Sequence, residues 1–120
     1  MGQRGFWRSV RCALAGLAFA VRTQRNLRWH VLAACTALVA ATILRMTRAE
    51  LAVLVVVIGL VLCAEILNTA VELTIDMIDA TEHPVARIVK DVAAGAVLVT
   101  VFMALGVAWV LFLPRVMIVP

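Results

Sequence analysis

The sequence predicts an all-α membrane protein, with an N-terminal amphipathic surface helix and three transmembrane helices in a single membrane domain covering residues 1–120. The first observation is composition: 65% of the 120 residues are hydrophobic and 15% are charged, with a mean hydropathy of +1.09, whereas soluble domains are about half apolar. The second is three long apolar runs whose connections are too short to build a separate soluble catalytic domain. The third is charge asymmetry, because eight of the eleven basic residues precede position 49, where no acidic residue occurs. Membrane topology explains this asymmetry, and the net charge of +4, better than nucleic-acid binding does.

Residues 1–26 are read as a cytoplasmic amphipathic helix. Phe6, Val10, Leu14, Leu17 and Val21 fall within about 80° at 100° per residue, and Arg4, Arg8, Arg11 and Arg22 gather on the other side. Such a helix lies on the bilayer, drawn by anionic lipid. The six arginines among the first 30 residues, set among apolar positions and without a continuous hydrophobic run that ends in a small-residue cleavage site, argue against a cleaved signal peptide. Spans are expected over about 27–44, 51–70 and 92–111, with the helical pattern of the second continuing to Ile78 as polar groups accumulate. Pro84 suits the first turn of the following helix, and Pro114 to Pro120 reads as a short external tail. The N-terminal arm, Arg87 and Lys90 outweigh Arg45, Arg48 and Arg115, which puts the N-terminus in the cytoplasm and the C-terminus outside.

Glu65, Asn68, Thr69, Glu72, Asp76 and Asp79 share a stripe about 100° wide on the second spanning helix. An acid near the centre of a membrane helix costs about 2.5–3.5 kcal/mol on insertion scales, so each needs a compensating partner. With the inner boundary near Ala70, Glu65 lies about 7.5 Å deep and Glu72 is level with the headgroups. Lys90 and Asp91 open the third span at that level, and Ala94 and Gly95 on the same face would admit a close neighbour. The plainest reading is interhelical glue, with Glu65, Asn68 and Asp91 paired to Lys90 or Arg28. The acids outnumber what nearby cations would neutralise, which favours a divalent cation. Mg²⁺ suits such oxygen donors and is commonly held by one or two carboxylates plus substrate phosphates. Scattered glycines supply no phosphate-binding loop, and Cys12, Cys35 and Cys63, widely spaced, are read as free thiols packed among helices. His30 reads as an interfacial polar residue rather than a metal ligand, and Trp7, Trp29 and Trp109 as interface anchors.

The segments from Ala64 to Glu72, Asp76, the His83-Pro84 pair and the run from Lys90 to Val99 resemble the small bacterial integral-membrane diacylglycerol kinase family, most closely its undecaprenol kinase branch. The resemblance covers about Phe6 to Leu113 and includes Gly16 and the segment from Arg25 to His30. It implies a homotrimer in the bacterial inner membrane, with active sites shared between protomers at the cytoplasmic interface, and ATP- and Mg²⁺-dependent phosphorylation of a membrane lipid hydroxyl. By the same resemblance Glu65 is the general base and Glu72 a Mg²⁺ ligand, while Asn68, Asp76, Lys90 and Asp91 match further polar positions of an ATP and substrate site. Lys90 and N-terminal arginines such as Arg28 would meet phosphate oxygens. One departure stands out: the family often carries Glu as a second metal ligand where this chain has Gln24. An amide oxygen is a weaker Mg²⁺ ligand than a carboxylate, so metal binding is weaker, another acid such as Asp76 substitutes, or Gln24 serves as it stands. A polyprenol and a diacylglycerol both offer a primary hydroxyl, and motif similarity leans toward undecaprenol. Two other classes compete: a small cation-conducting oligomer, against which the acid-free stretch from Leu51 to Ala64 counts, and a catalytically impaired assembly protein.

Overall fold

The computed structural model describes residues 3–78 and 83–118, with side-chain detail for 5–78 and 83–117. Four helices follow in chain order: α1 (Gln3–Thr23), α2 (Arg25–Ile43), α3 (Arg48–Ile78) and α4 (Pro84–Ile118). The last three are each long and apolar enough to cross a membrane. With 31 residues, α3 is about 46 Å long, more than an upright crossing of a hydrocarbon core of roughly 30 Å needs. Its continuation to Ile78 follows the periodicity of the sequence.

α3 and α4 form an antiparallel hairpin, the most extensive helix pair, and α2 packs against α3. Ion pairs fix the register of the hairpin at both ends. At one end Arg115 Nη1 and Nη2 donate to Glu50 Oε2 and Oε1 at 2.9 and 2.7 Å, and at the other Lys90 Nζ donates to Asp76 Oδ1. The pairs are separated by about 39 Å along α3 and about 38 Å along α4 at the usual helical rise, more than the apolar thickness of a bilayer. The two pairs therefore close the hairpin at its ends, and largely apolar faces pack between them.

Local chemistry sets the helix ends. Thr47 and Glu50 make a reciprocal capping box at the start of α3: the Thr47 amide donates to Glu50 Oε1 at 3.1 Å and the Glu50 amide to Thr47 Oγ1 at 3.2 Å. His83 caps α4, its carbonyl accepting the Arg87 amide and its Nδ1 the Val85 amide, both at 3.1 Å. Pro84 occupies the first helical position, where a missing N–H costs nothing. At the end of α2 the Met46 amide donates to Ala41 O at 3.1 Å and the Arg45 amide to Thr42 O at 3.2 Å, the two bonds of a Schellman motif. Met46 and Ala41 bury together with Leu54, completing the motif's apolar contact.

The motif puts Arg45 at a φ of 56°, the left-handed region that costs a residue with a Cβ about 1–2 kcal/mol. Arg45→Gly removes this strain but makes the unfolded chain freer. The expected net effect is a stabilisation of about 0.5–1 kcal/mol, read as a higher Tm in detergent micelles, and a lower Tm would contradict the assignment.

Three expectations change. α4 continues through Pro114 to Ile118, so most of the supposed tail is helix, its last turn held by the grip of Arg115 on Glu50. Cys12, Cys35 and Cys63 are free as expected, but exposed on the single chain rather than packed. A Cβ on Gly95 would meet nothing within 4 Å, so no helix of the same chain exploits that small residue.

Side-chain burial is sparse. The radius of gyration is 17.9 Å, against about 14 Å for a compact domain of this length. Phe102, Leu105 and Trp109 of α4 and the α1 residues Phe6, Leu14 and Leu17 remain exposed. These faces require lipid or other protein to cover them.

Candidate functional site

Leu54, Val57, Val61, Glu65 and Thr69 are the buried residues of α3. Their spacing of three or four makes one ridge, so the same face that packs apolar residues in the first half of the helix carries the acids in the second. Burial falls along the row: Glu65 and Thr69 are 3% exposed, Asn68 and Glu72 are half-buried, and Asp76 is exposed. The acidic stripe thus runs from the protein interior to the surface of the chain.

Each group in the row has a definable environment. Thr69 Oγ1 donates to Glu65 O at 3.0 Å, which satisfies the buried hydroxyl within the helix. Asn68 Nδ2 donates to Glu72 Oε1 at 3.3 Å, one helical turn away. Asn68 Oδ1, fully buried, has no hydrogen-bond partner among the described residues, an exception among buried polar atoms. Asp76 is paired with Lys90 across the hairpin.

Glu65 receives a polar neighbour from another helix. His30 Nε2 of α2 lies 3.6 Å from Glu65 Oε2, with side-chain exposures of 25% and 4%. Sequence reasoning placed His30 at the interface but did not connect it with Glu65. A signal was present: His30, Ala33, Ala34 and Ala37 share one helical face, and three alanines there let a neighbouring helix approach. Below the pair opens an apolar groove of about 280 Å³, walled by residues such as Ala33, Ala37, Val61 and Ala104, with His30 the polar residue in its lining.

The predicted N-terminal ligands stand apart from this row. Gln24 is the extended residue joining α1 to α2, with φ −106° and ψ 107°, and its Nε2 reaches Thr23 Oγ1 at 3.5 Å. Arg28 Nη1 donates to Val21 O and Arg22 O at 2.9 and 2.8 Å, neutralising the carbonyl end of α1. Among the described residues, Gln24, Arg28 and Asp91 make no hydrogen bond or ion pair with the α3 row, and Asp79 lies outside the described residues.

No cluster of three His, Cys, Asp or Glu side chains able to hold a metal occurs among the described residues. The carboxylate of Glu72 and the side-chain oxygen of Asn68, one helical turn apart, are instead both oxygen donors. That set fits Mg²⁺, which keeps water and takes its remaining ligands from substrate phosphates. What the arrangement can do is set by its gradient: a buried carboxylate beside an apolar groove, followed by polar oxygens and a cation nearer to water.

Known proteins share the sequence of this chain over most of its length. The family described as prokaryotic diacylglycerol kinase matches residues 11–112. An undecaprenol kinase of Bacillus subtilis is 36% identical over 110 residues, covering 92% of this chain and 89% of that one. A diacylglycerol kinase of Synechocystis sp. is 40% identical over 107 residues, covering 88% of this chain and 61% of its relative. A diacylglycerol kinase of Pseudomonas aeruginosa is 33% identical over 98 residues, 79% of this chain and 80% of the relative. The chain belongs to the prokaryotic diacylglycerol kinase family of membrane lipid kinases.

Proposed function

We propose that the chain transfers the γ-phosphoryl group of ATP to the primary hydroxyl of a membrane lipid alcohol, with Glu65 as proton acceptor and undecaprenol as the favoured substrate. The observation that carries this reading is the burial of Glu65 beside an apolar groove. A water-soluble donor approaches the α3 row from its exposed end, and a lipid approaches from the bilayer. The groove takes the lipid's hydrocarbon chain, because its lining is apolar except at the His30 end, where a terminal hydroxyl would meet Glu65. The similarity to an undecaprenol kinase over nearly the whole of both chains favours a polyprenol.

Phosphoryl transfer asks the protein mainly to align the reactants and neutralise charge on the transferring group. The lipid oxygen attacks the γ-phosphorus, the bond to the β–γ bridging oxygen breaks, and ADP leaves with that electron pair. The hydroxyl proton passes to Glu65 and from there to water. Asn68 orients Glu72 through its amide. Lys90, placed by Asp76, meets phosphate oxygens together with Arg28, and Asp91 borders the nucleotide. Glu72, with Asn68 or Gln24, would hold Mg²⁺. When bound, Mg²⁺ neutralises the charge of the β- and γ-phosphates.

The site faces the cytoplasm, where ATP is found, and the N-terminus lies on that side by the excess of basic residues there. α1 lies on the inner surface of the membrane, its uncovered Phe6, Leu14 and Leu17 in the lipid. The protein works as a homotrimer, which covers apolar faces left bare on the protomer and brings Gln24 and Asp91 to a row they do not reach within one chain. The test is transfer of labelled phosphate from ATP in mixed micelles, with undecaprenol and diacylglycerol compared in parallel. Mg²⁺-dependent labelling, faster with undecaprenol, is expected; no labelling of either lipid would overturn the kinase reading, and faster labelling of diacylglycerol the choice of substrate.

A further inference from the structure

Resting on the assignment of Glu65 as proton acceptor, we infer that His30 is a positioning residue that holds the Glu65 carboxylate at the end of the apolar groove. Glu65 is 4% exposed at its side chain and continues a ridge of leucine and valine. A carboxylate so placed is costly unless a donor faces it. The neighbouring cations are engaged elsewhere: Arg28 Nη1 with the last carbonyls of α1 and Lys90 with Asp76. His30 reaches across from α2 and places Nε2 3.6 Å from Oε2, slightly beyond a full hydrogen bond.

The consequence is directional. With Nε2–H turned toward Oε2, the other carboxylate oxygen is left for the lipid hydroxyl. His30 is also the polar residue of the groove lining, so the same imidazole marks where the hydrocarbon chain ends and the reacting oxygen begins. His30 neither gains nor loses a proton in the cycle: the hydroxyl proton moves to Glu65, then to water, and the imidazole N–H keeps the carboxylate from turning away between turnovers. A misplacement of about 1 Å in such a group costs up to about 100-fold in rate.

Three variants test this in the full-length protein in mixed micelles, with oligomer size and Tm measured alongside. His30→Leu should lower kcat about 10- to 100-fold with the KM for ATP unchanged. His30→Gln, which carries an N–H donor at about the reach of Nε2, should restore kcat to within a few-fold of the parent. In a Glu65→Gln background, His30→Leu should cause no further loss, because it acts through a carboxylate already gone. A silent His30→Leu, a His30→Gln as impaired as His30→Leu, or additive losses in the double variant would each overturn the inference. Turnover surviving Glu65→Gln alone would instead bring down the underlying reading of Glu65, so the two failures are distinct.

Discussion

Glu65→Gln should lower phosphoryl transfer by about 10²- to 10⁴-fold, the range spanned by general bases, while oligomer size and ATP affinity stay close to those of the parent. The reasoning is steric as much as chemical. Glutamine has nearly the shape of glutamate, so the ridge through Leu54, Val57, Val61 and Thr69 keeps its packing, and the side-chain oxygen still faces His30. What disappears is the negative charge and with it the ability to take a proton from the lipid oxygen. Removing a buried charge also removes its desolvation cost, so the variant should be at least as stable as the parent. Loss of activity with an unchanged or higher Tm is a signature that a merely structural Glu65 would not produce, since a structural ion pair should destabilise when broken. Turnover near the parental rate would exclude Glu65 as the base.

Local signals carried most of the fold. The amphipathic N-terminal helix, the three apolar runs, the extension of the second to Ile78 and the Pro84 start can all be read from patterns within a few turns of one helix. The end of α4 could not. Pro114 reads as a terminator because it lacks an N–H and crowds the preceding turn, yet Arg115 is held bidentately by Glu50, 65 residues earlier. Tertiary contact there overrides local propensity. The site divides in the same way. Glu65, Asn68, Glu72 and Asp76 lie on one helix, so helical spacing alone aligns them. His30 joins Glu65 across two helices, and spacing within either helix says nothing about which faces meet. Gln24 and Asp91 make no hydrogen bond or ion pair with the row among the described residues, although one precedes α2 and the other lies on α4, helices that pack against α3.

The proposed Mg²⁺ requirement offers a separate measurement of the outer part of the row. Glu72→Gln should raise the Mg²⁺ concentration for half-maximal activity by about 10- to 100-fold, the scale on which even supporting groups alter metal affinity. Glu72 is the half-buried carboxylate of the row, oriented by the Asn68 amide at 3.3 Å. Substitution keeps an oxygen but removes the charge that makes it a strong ligand for a hard cation. On the proposed assignment of Gln24 as a metal ligand, a site using a neutral oxygen there would depend more heavily on the carboxylate of Glu72. Restoring charge at that joint gives the complementary arm: Gln24→Glu should shift the Mg²⁺ titration to lower concentration, and should partly offset Glu72→Gln when the two are combined. Both substitutions should leave the apolar groove and the lipid KM unchanged, since neither residue lines it. An unaltered Mg²⁺ titration in Glu72→Gln would remove Glu72 from the metal site, and a shift in lipid KM with no shift in Mg²⁺ dependence would place it beside the acceptor instead.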